Sequence, residues 1–241
     1  MKTIGFIGAY DKTDLIIYIA RILTAMNKRV LVIDTTFLQK AKYIVPAISP
    51  AKTYITTYED IDIAVGFYDY YSIKSYLGIS EQANLDYDYI FIDIDSHECL
   101  ESFNIQMADK NYFVTGLDVY TLRRGLEILS GLQERLDLTK VLFAKNLSYD
   151  EEEYFNFLSL GAKVNWSEET IYFPFEQGDA GVIIQNQMVQ KIKFKKLTEL
   201  YKGSLMYIAS ELLESQQEQN ELRKVFKQLE TVSYTHLTLP T

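Results

Sequence analysis

The chain holds a single cysteine, Cys99, among 241 residues. An internal disulfide framework is therefore excluded, and the usage suits the cytosol. Positive charge is in deficit, with 24 lysines and arginines against 33 acids and a formal charge of -9. That balance disfavours general affinity for nucleic acid, because phosphate binding draws on basic surface. Long apolar runs are missing too. The longest, residues 15–26, is interrupted by Arg21 and is too short to span a bilayer. Met1 and Lys2 lead straight into a strand candidate, so no signal peptide is expected. Internal repeats and low-complexity segments are absent.

Histidine is scarce, and the end of the chain makes it scarcer. Residues 232–241 (VSYTHLTLPT) read like the translation of a transposase adapter used in DNA library preparation. They are set aside from fold reasoning, and the native terminus beyond residue 231 is expected to be missing. His236 lies in that tail, which leaves His97 as the native histidine. A histidine metal cluster is then not expected. A Ser-His-Asp triad would have to use His97, and no other feature supports one.

What the chain does have is a hydrophobic content of 48%, enough for one large domain or one domain with an appendage. Its abundance of Tyr, Phe, Ile and Lys fits an AT-rich bacterial genome. Strand candidates lie at 2–7, 29–33, 89–94, 111–115, 140–144 and 170–173, the last stopped by Pro174. Residues 29–33 are continuously apolar after Arg29, as in a strand buried on both faces. In 13–26 the apolar residues recur with a helical period, and Thr13 and Asp14 suit a helix start. Further helices are expected at 71–77, 118–132, 150–158, 181–187 and 194–214, while 54–65 mixes strand-like runs with acids. Strands alternating with helices predict an α/β fold, a mostly parallel, doubly wound sheet with helices on both faces. Domain 1–213 is followed by a helical extension at 214–231. The extension carries a narrow stripe of Leu222, Val225, Phe226 and Leu229, which either docks on a partner or folds back on its own domain.

The turn after the first strand, Gly8-Ala9-Tyr10-Asp11-Lys12-Thr13, has the outline of a phosphate-binding loop. Such a loop wraps backbone N–H groups around phosphates, reaches them with a lysine and binds Mg²⁺ through Ser or Thr. Gly8, Lys12 and Thr13 stand where the loop needs them; Ala9 and Asp11 do not. A carboxylate beside a triphosphate costs roughly 4 kcal/mol for like charges ~4 Å apart at an effective dielectric of about 20. Uncompensated, that removes about three decades of affinity. A plain strand-to-helix turn is the alternative. A dinucleotide-binding turn would need G-x-G-x-x-G, and the first strand and turn have only Gly5, inside the strand, and Gly8.

In order along residues 1–213, five segments resemble the ParA/MinD family of deviant P-loop ATPases. They are the strand-loop-helix-strand of 2–36 with its VLVID strand, 87–93 (YDYIFID), 108–115 (ADKNYFVT), 141–146 (VLFAKN) and 171–175 (IYFPF). The resemblance implies a P-loop NTPase-like fold, ATP and Mg²⁺ as ligands, and homodimerisation. It implies binding roles for Gly8, Lys12, Thr13, Asp34, Asp93 and Asn146, with Thr13 and Asp93 at the metal and Asn146 facing adenine. Asp93 read alone is an acid at a strand end, and Asp95 and Ser96 after it suit a helix cap. Asn146 read alone is a turn residue.

The departures matter as much. Ile7 stands where the family carries a lysine that reaches the partner's ATP, and Thr36 stands where it carries an acid that organises the attacking water. Hydrolysis is therefore expected to be very slow or absent, since phosphoryl transfer depends on positioning and charge stabilisation. The chain is similar to degenerate members of the TadZ/CpaE type. That similarity implies a scaffold or localisation factor, binding a protein partner at a membrane-associated pilus or secretion machine. It implies a cytoplasmic protein recruited to the membrane or cell pole. An active, Mg-ATP-dependent dimerising ATPase is the alternative. The run Lys191, Lys193, Lys195 and Lys196 reads as a solvated helix start or as a contact to DNA or anionic lipid. The tyrosine-rich stretch 58–71 reads equally as core or as partner surface.

Overall fold

The computed structural model describes residues 1–46, 52–144, 146–174 and 176–231. Lys145, Phe175 and the tail at 232–241, each named in the sequence reading, lie outside the described residues. An eight-stranded sheet, ordered β3-β4-β2-β5-β1-β6-β7-β8, forms the middle layer. Its strands are β1 (Lys2–Ile7), β2 (Val30–Asp34), β3 (Tyr54–Tyr58), β4 (Ile61–Val65), β5 (Tyr89–Ile94), β6 (Lys110–Gly116), β7 (Leu136–Phe143) and β8 (Val164–Tyr172). The β3–β4 pair is antiparallel and every other pair is parallel.

Helices cover both faces because the central strands alternate their apolar side chains between two cores. Phe6, Val30, Val32 and Phe91 face one layer, and Ile7, Leu31, Ile33, Ile90 and Ile92 face the other. The first layer holds α1 (Thr13–Ala25), α7 (Gln177–Val189), α8 (Glu199–Leu212) and α9 (Gln216–Thr231). The second holds α5 (Val119–Ser130) and α6 (Tyr149–Leu158). Short helices α2 (Ala41–Ile44), α3 (Tyr70–Tyr76) and α4 (His97–Ser102) complete the order. The expected fold class is thus the observed one.

Several boundaries differ from expectation for local reasons. The mixed stretch 54–65 is a tight hairpin whose turn residues, Glu59 and Asp60, both have positive φ, at 50° and 65°. Such a turn favours Asn-Gly, which here would have marked it. Arg21 steadies it, donating to the Glu59 carbonyl at 3.3 Å and to Asp60 at 3.1 Å. The helix expected from residue 194 begins only at Glu199, because Thr198 caps it, accepting from the Tyr201 N–H. β8 starts at Val164, six residues before the expected 170. The extension folds back: Leu222 and Phe226 join the core, and Phe226 meets Phe194 edge-on at 5.4 Å. Lys28 Nζ to Glu218 at 2.7 Å and the buried Lys202 to Glu230 at 2.6 Å tie down its two ends.

Candidate functional site at the end of the central strands

β1 and β5 run side by side at the centre of the sheet, where the winding direction reverses. Open α/β sheets form their ligand crevice at that point, beyond the strand C-termini. The 8–12 loop leaves β1 there, and Asp93 sits on β5 opposite Phe6. Gly8 is required by geometry. Its φ is +145°, and a Cβ would meet the Val114 carbonyl oxygen at 2.1 Å.

Lys12 is buried and turns back into the loop. Its Nζ donates to the Gly8 carbonyl at 2.8 Å and lies 2.7 Å from Asp93 Oδ1. The second contact is an ion pair rather than a well-aligned hydrogen bond, since Oδ1 has no hydrogen-bond donor of good geometry among the described residues. Thr13 Oγ1 donates to Asp93 Oδ2 at 3.3 Å. Burial pushes the Asp93 carboxyl up to about 6, against the pull of Lys12 and with the help of Asp34. Lys12, Thr13 and Asp93 are therefore one assembled unit at the base of a cavity of about 390 Å³. Small-ligand sites span ~300–1,000 Å³.

Asp11 changes what this cavity can hold. Its Oδ1 accepts from the Thr13 N–H at 3.3 Å, the first helical N–H of α1. That donor is one that a bound anion at a helix N-terminus would use. Asp11 Oδ2 takes Lys40 Nζ at 2.7 Å, and the same Nζ reaches Asp14 at 2.7 Å. Burial opposes the charge on Lys40, but Asp14 and Asp11 outweigh it and hold the ammonium above the usual lysine range. The loop thus carries an internal anion on a helix-start donor and an internal cation across its mouth.

Tyr10, Leu38 and Tyr43 supply aromatic and apolar lining among the charged groups, and Phe143 and Phe173 back Tyr10 from outside the lining. Tyr10 stacks on Phe143 at 4.3 Å and 20°, and Phe143 stacks on Phe173 at 5.2 Å and 20°. Burial, with Asp11 and Asp118, pushes the Tyr10 hydroxyl up to about 12. Leu38 and Tyr43, both exposed, line the opposite side with Thr36. Of the residues expected at the site, Gly8, Lys12, Thr13 and Asp93 come together around the cavity. Asp34 and Asn146 are not among its lining residues. Asp34 spends its oxygens on the chain itself, accepting from Thr36 N–H and Oγ1 at 3.0 and 2.6 Å and from the Ala41 N–H at 3.0 Å. Burial still leaves its carboxyl above the usual range. Asn146 is exposed beyond β7. Ser96 caps α4, as expected, while Asp95 accepts from the Phe37 N–H at 3.0 Å. Lys40 and Tyr10 were not singled out from the sequence. Tyr10 lies in the motif, but no local signal marks Lys40, whose partners lie 29 and 26 residues away.

Half of the donor set suits Mg²⁺ and a polyphosphate, and half does not. Lys12, Thr13 and Asp93 supply a cation, a hydroxyl and a carboxylate within reach of one another. Asp11 adds a further carboxylate to the lining and takes up the Thr13 N–H.

Models of protein families and curated proteins give no match to this chain. Solved structures do. The MinC:MinD cell division protein complex of Aquifex aeolicus matches at 14% identity, covering 90% of this chain and 98% of that one, with a TM-score of 0.53. A ParA family ATPase from Chlorobium tepidum TLS matches at 15% identity, 88% and 98% coverage, and a TM-score of 0.53. An ATP complex of McdA from Cyanothece matches at 12% identity, 89% and 98% coverage, and a TM-score of 0.52. At these identities the likeness is one of fold: this chain has the fold of ParA/MinD-type ATPases.

Proposed function

We propose that the chain is a P-loop-fold scaffold or localisation factor whose phosphate site is held by its own side chains. The observation that carries this reading is Asp11, which accepts from the Thr13 N–H at 3.3 Å and pairs with Lys40 at 2.7 Å. A polyphosphate entering the loop must displace that carboxylate or sit beside it. Ile7 and Thr36, in the places of the cross-dimer lysine and the water-organising acid, support weak or absent hydrolysis. Function then resides in surfaces. The partner in this reading is a protein at a membrane-associated pilus or secretion machine, to which a cytoplasmic chain is recruited. No described helix is long and apolar enough to cross a membrane.

A second reading is favoured by one observation, the assembled Lys12-Thr13-Asp93 unit at the base of an accessible cavity. Here Lys12 would hold the β/γ-phosphates and Thr13 and Asp93 the Mg²⁺ of a dimerising ATPase. A phosphate-release assay separates the two. The scaffold reading expects no turnover above that of Lys12→Ala. Turnover that Lys12→Ala abolishes would establish the ATPase.

A further inference from the structure

Two surfaces on opposite faces of the sheet are opposite in predominant charge, and each exposes apolar side chains. The first lies on the α7/α9 layer. Residues 189–197 and 222–229 contain seven lysines and arginines and no acid, in a chain of charge -9. The structure brings these separated segments together. Phe194 packs against Phe226, and buried Ile192 and Phe194 alternate with outward Lys191, Lys193 and Lys195. The Asn186 side chain pins this strand-like stretch to α7 by donating to the Lys193 carbonyl at 2.8 Å. Beside it, α7 exposes Ile184 and Met188, one turn apart, and then Val189. Lys191 also pairs with Glu59 at 3.0 Å, so the patch is anchored at the hairpin.

The second surface is α6, in the opposite layer. It buries Phe155 and presents four acids, Asp150 to Glu153, with no basic residue between 147 and 160. Tyr149 and Phe157 lie two turns apart on an exposed stripe of the helix, Leu160 is exposed in the turn after it, and Tyr149 Oη donates to Glu153 at 3.4 Å on the Tyr149 side. Each surface thus joins exposed apolar residues to a predominant sign of charge, with Arg123 donating to Tyr154 Oη at 3.2 Å beside α6 and Glu59 and Glu221 flanking the basic face, and the predominant signs are opposite.

We propose that the α7/α9 face docks the α6 face of a second copy of this chain. Such a contact is heterologous, so it leaves one free face on each end and extends head to tail. None of the residues of either surface lines the cavity beside Lys12. An anionic membrane or a nucleic acid would match the basic face alone and would leave the acidic aromatic stripe of α6 without a role.

Sedimentation velocity of the full chain at low salt, from micromolar to submillimolar protein, tests this. The proposal expects average size to rise with concentration and to fall back at high salt. Two variants make the test specific. One neutralises Lys195, Lys196, Lys224 and Lys227 to Gln. The other carries Asp150→Asn, Glu152→Gln and Glu153→Gln. Each alone is expected to remain monomeric, with its native circular dichroism spectrum as the check of folding. Mixed, they retain one intact face each and should form a 1:1 dimer that grows no further, at least about tenfold tighter than either variant with itself. A wild type that is monomeric throughout, or a mixture that gives no dimer, overturns the proposal. Self-association that persists in both variants places the contact elsewhere. Binding of the monomer to phosphatidylglycerol vesicles or duplex DNA without self-association gives the basic face a different occupant.

Discussion

Replacing Asp11 is expected to turn a poor phosphate site into a usable one. The aspartate acts in two ways. Its charge opposes a phosphate, by roughly 4 kcal/mol at ~4 Å and an effective dielectric of about 20. Its Oδ1 also occupies the Thr13 N–H at 3.3 Å. Lys40 offsets part of the charge, but Asp14 shares that ammonium. About half of the Coulomb cost therefore survives, ~2 kcal/mol, which is about thirtyfold in affinity. Asp11→Asn removes the charge and keeps an oxygen for Thr13. Asp11→Gly removes both and restores the conformational freedom a phosphate-wrapping loop uses. Calorimetric titration with Mg-ATP should then rank the proteins with glycine tightest, asparagine next and wild type weakest. In the glycine variant, adding Lys12→Ala should abolish the gain. If glycine and wild type bind alike, or neither binds while both are folded, Asp11 is not what closes the site.

Four further outcomes follow from the same contacts. Lys12→Met strands the buried Asp93 carboxylate, and chemical denaturation at pH 7 should show a loss of about 3–5 kcal/mol. Because burial raises Asp93 from 3.8 to about 6, the folded state binds its proton more tightly than the unfolded state does. Asp93 therefore costs stability as pH rises through the window from about 4 to 6, by at most ~3 kcal/mol. Denaturation curves of Asp93→Asn should lack that fall, and an identical pH slope in wild type and variant would contradict it. Gly8→Ala sets a Cβ against the Val114 carbonyl at positive φ and should cost about 2–4 kcal/mol or displace the loop. Phe226→Ala opens the contact between α9 and the core and should lower stability by about 3 kcal/mol, read as a shifted midpoint.

The central strands were legible in the sequence because they are buried on both faces. Runs such as VLVID and YIFID are written almost entirely in apolar residues up to their closing acid. The edges were not. β8 begins Val164-Asn165-Trp166-Ser167-Glu168-Glu169, a half-exposed edge strand whose polar residues hide its start. The β3–β4 hairpin was blurred because its turn uses Glu59 and Asp60, held by Arg21, where glycine or asparagine would have announced it. The helix start at 194 went wrong because Phe194 and Leu197 mimic helical spacing while pointing into the core from a turn. The stripe on α9 was visible, but its choice between partner and own core depends on Phe194, a neighbour only in space. At the site, Gly8, Lys12 and Thr13 could be read from the spacing of the loop, and Asp93 from the resemblance of its strand to the family's. The Lys40 bridge could not, since a lysine between two acids requires the β2–α2 loop to close over α1. The family resemblance implied a ligand role for Asp34, and in the structure its oxygens accept from Thr36 and from the Ala41 N–H.

The most direct test of a self-occupied phosphate site is calorimetric titration of Mg-ATP into the wild-type chain, with Lys12→Ala as control. The account predicts no saturable heat that the control lacks, up to millimolar nucleotide, from protein shown to be folded. Saturable binding that Lys12→Ala abolishes would contradict it and establish Lys12 as a working phosphate ligand.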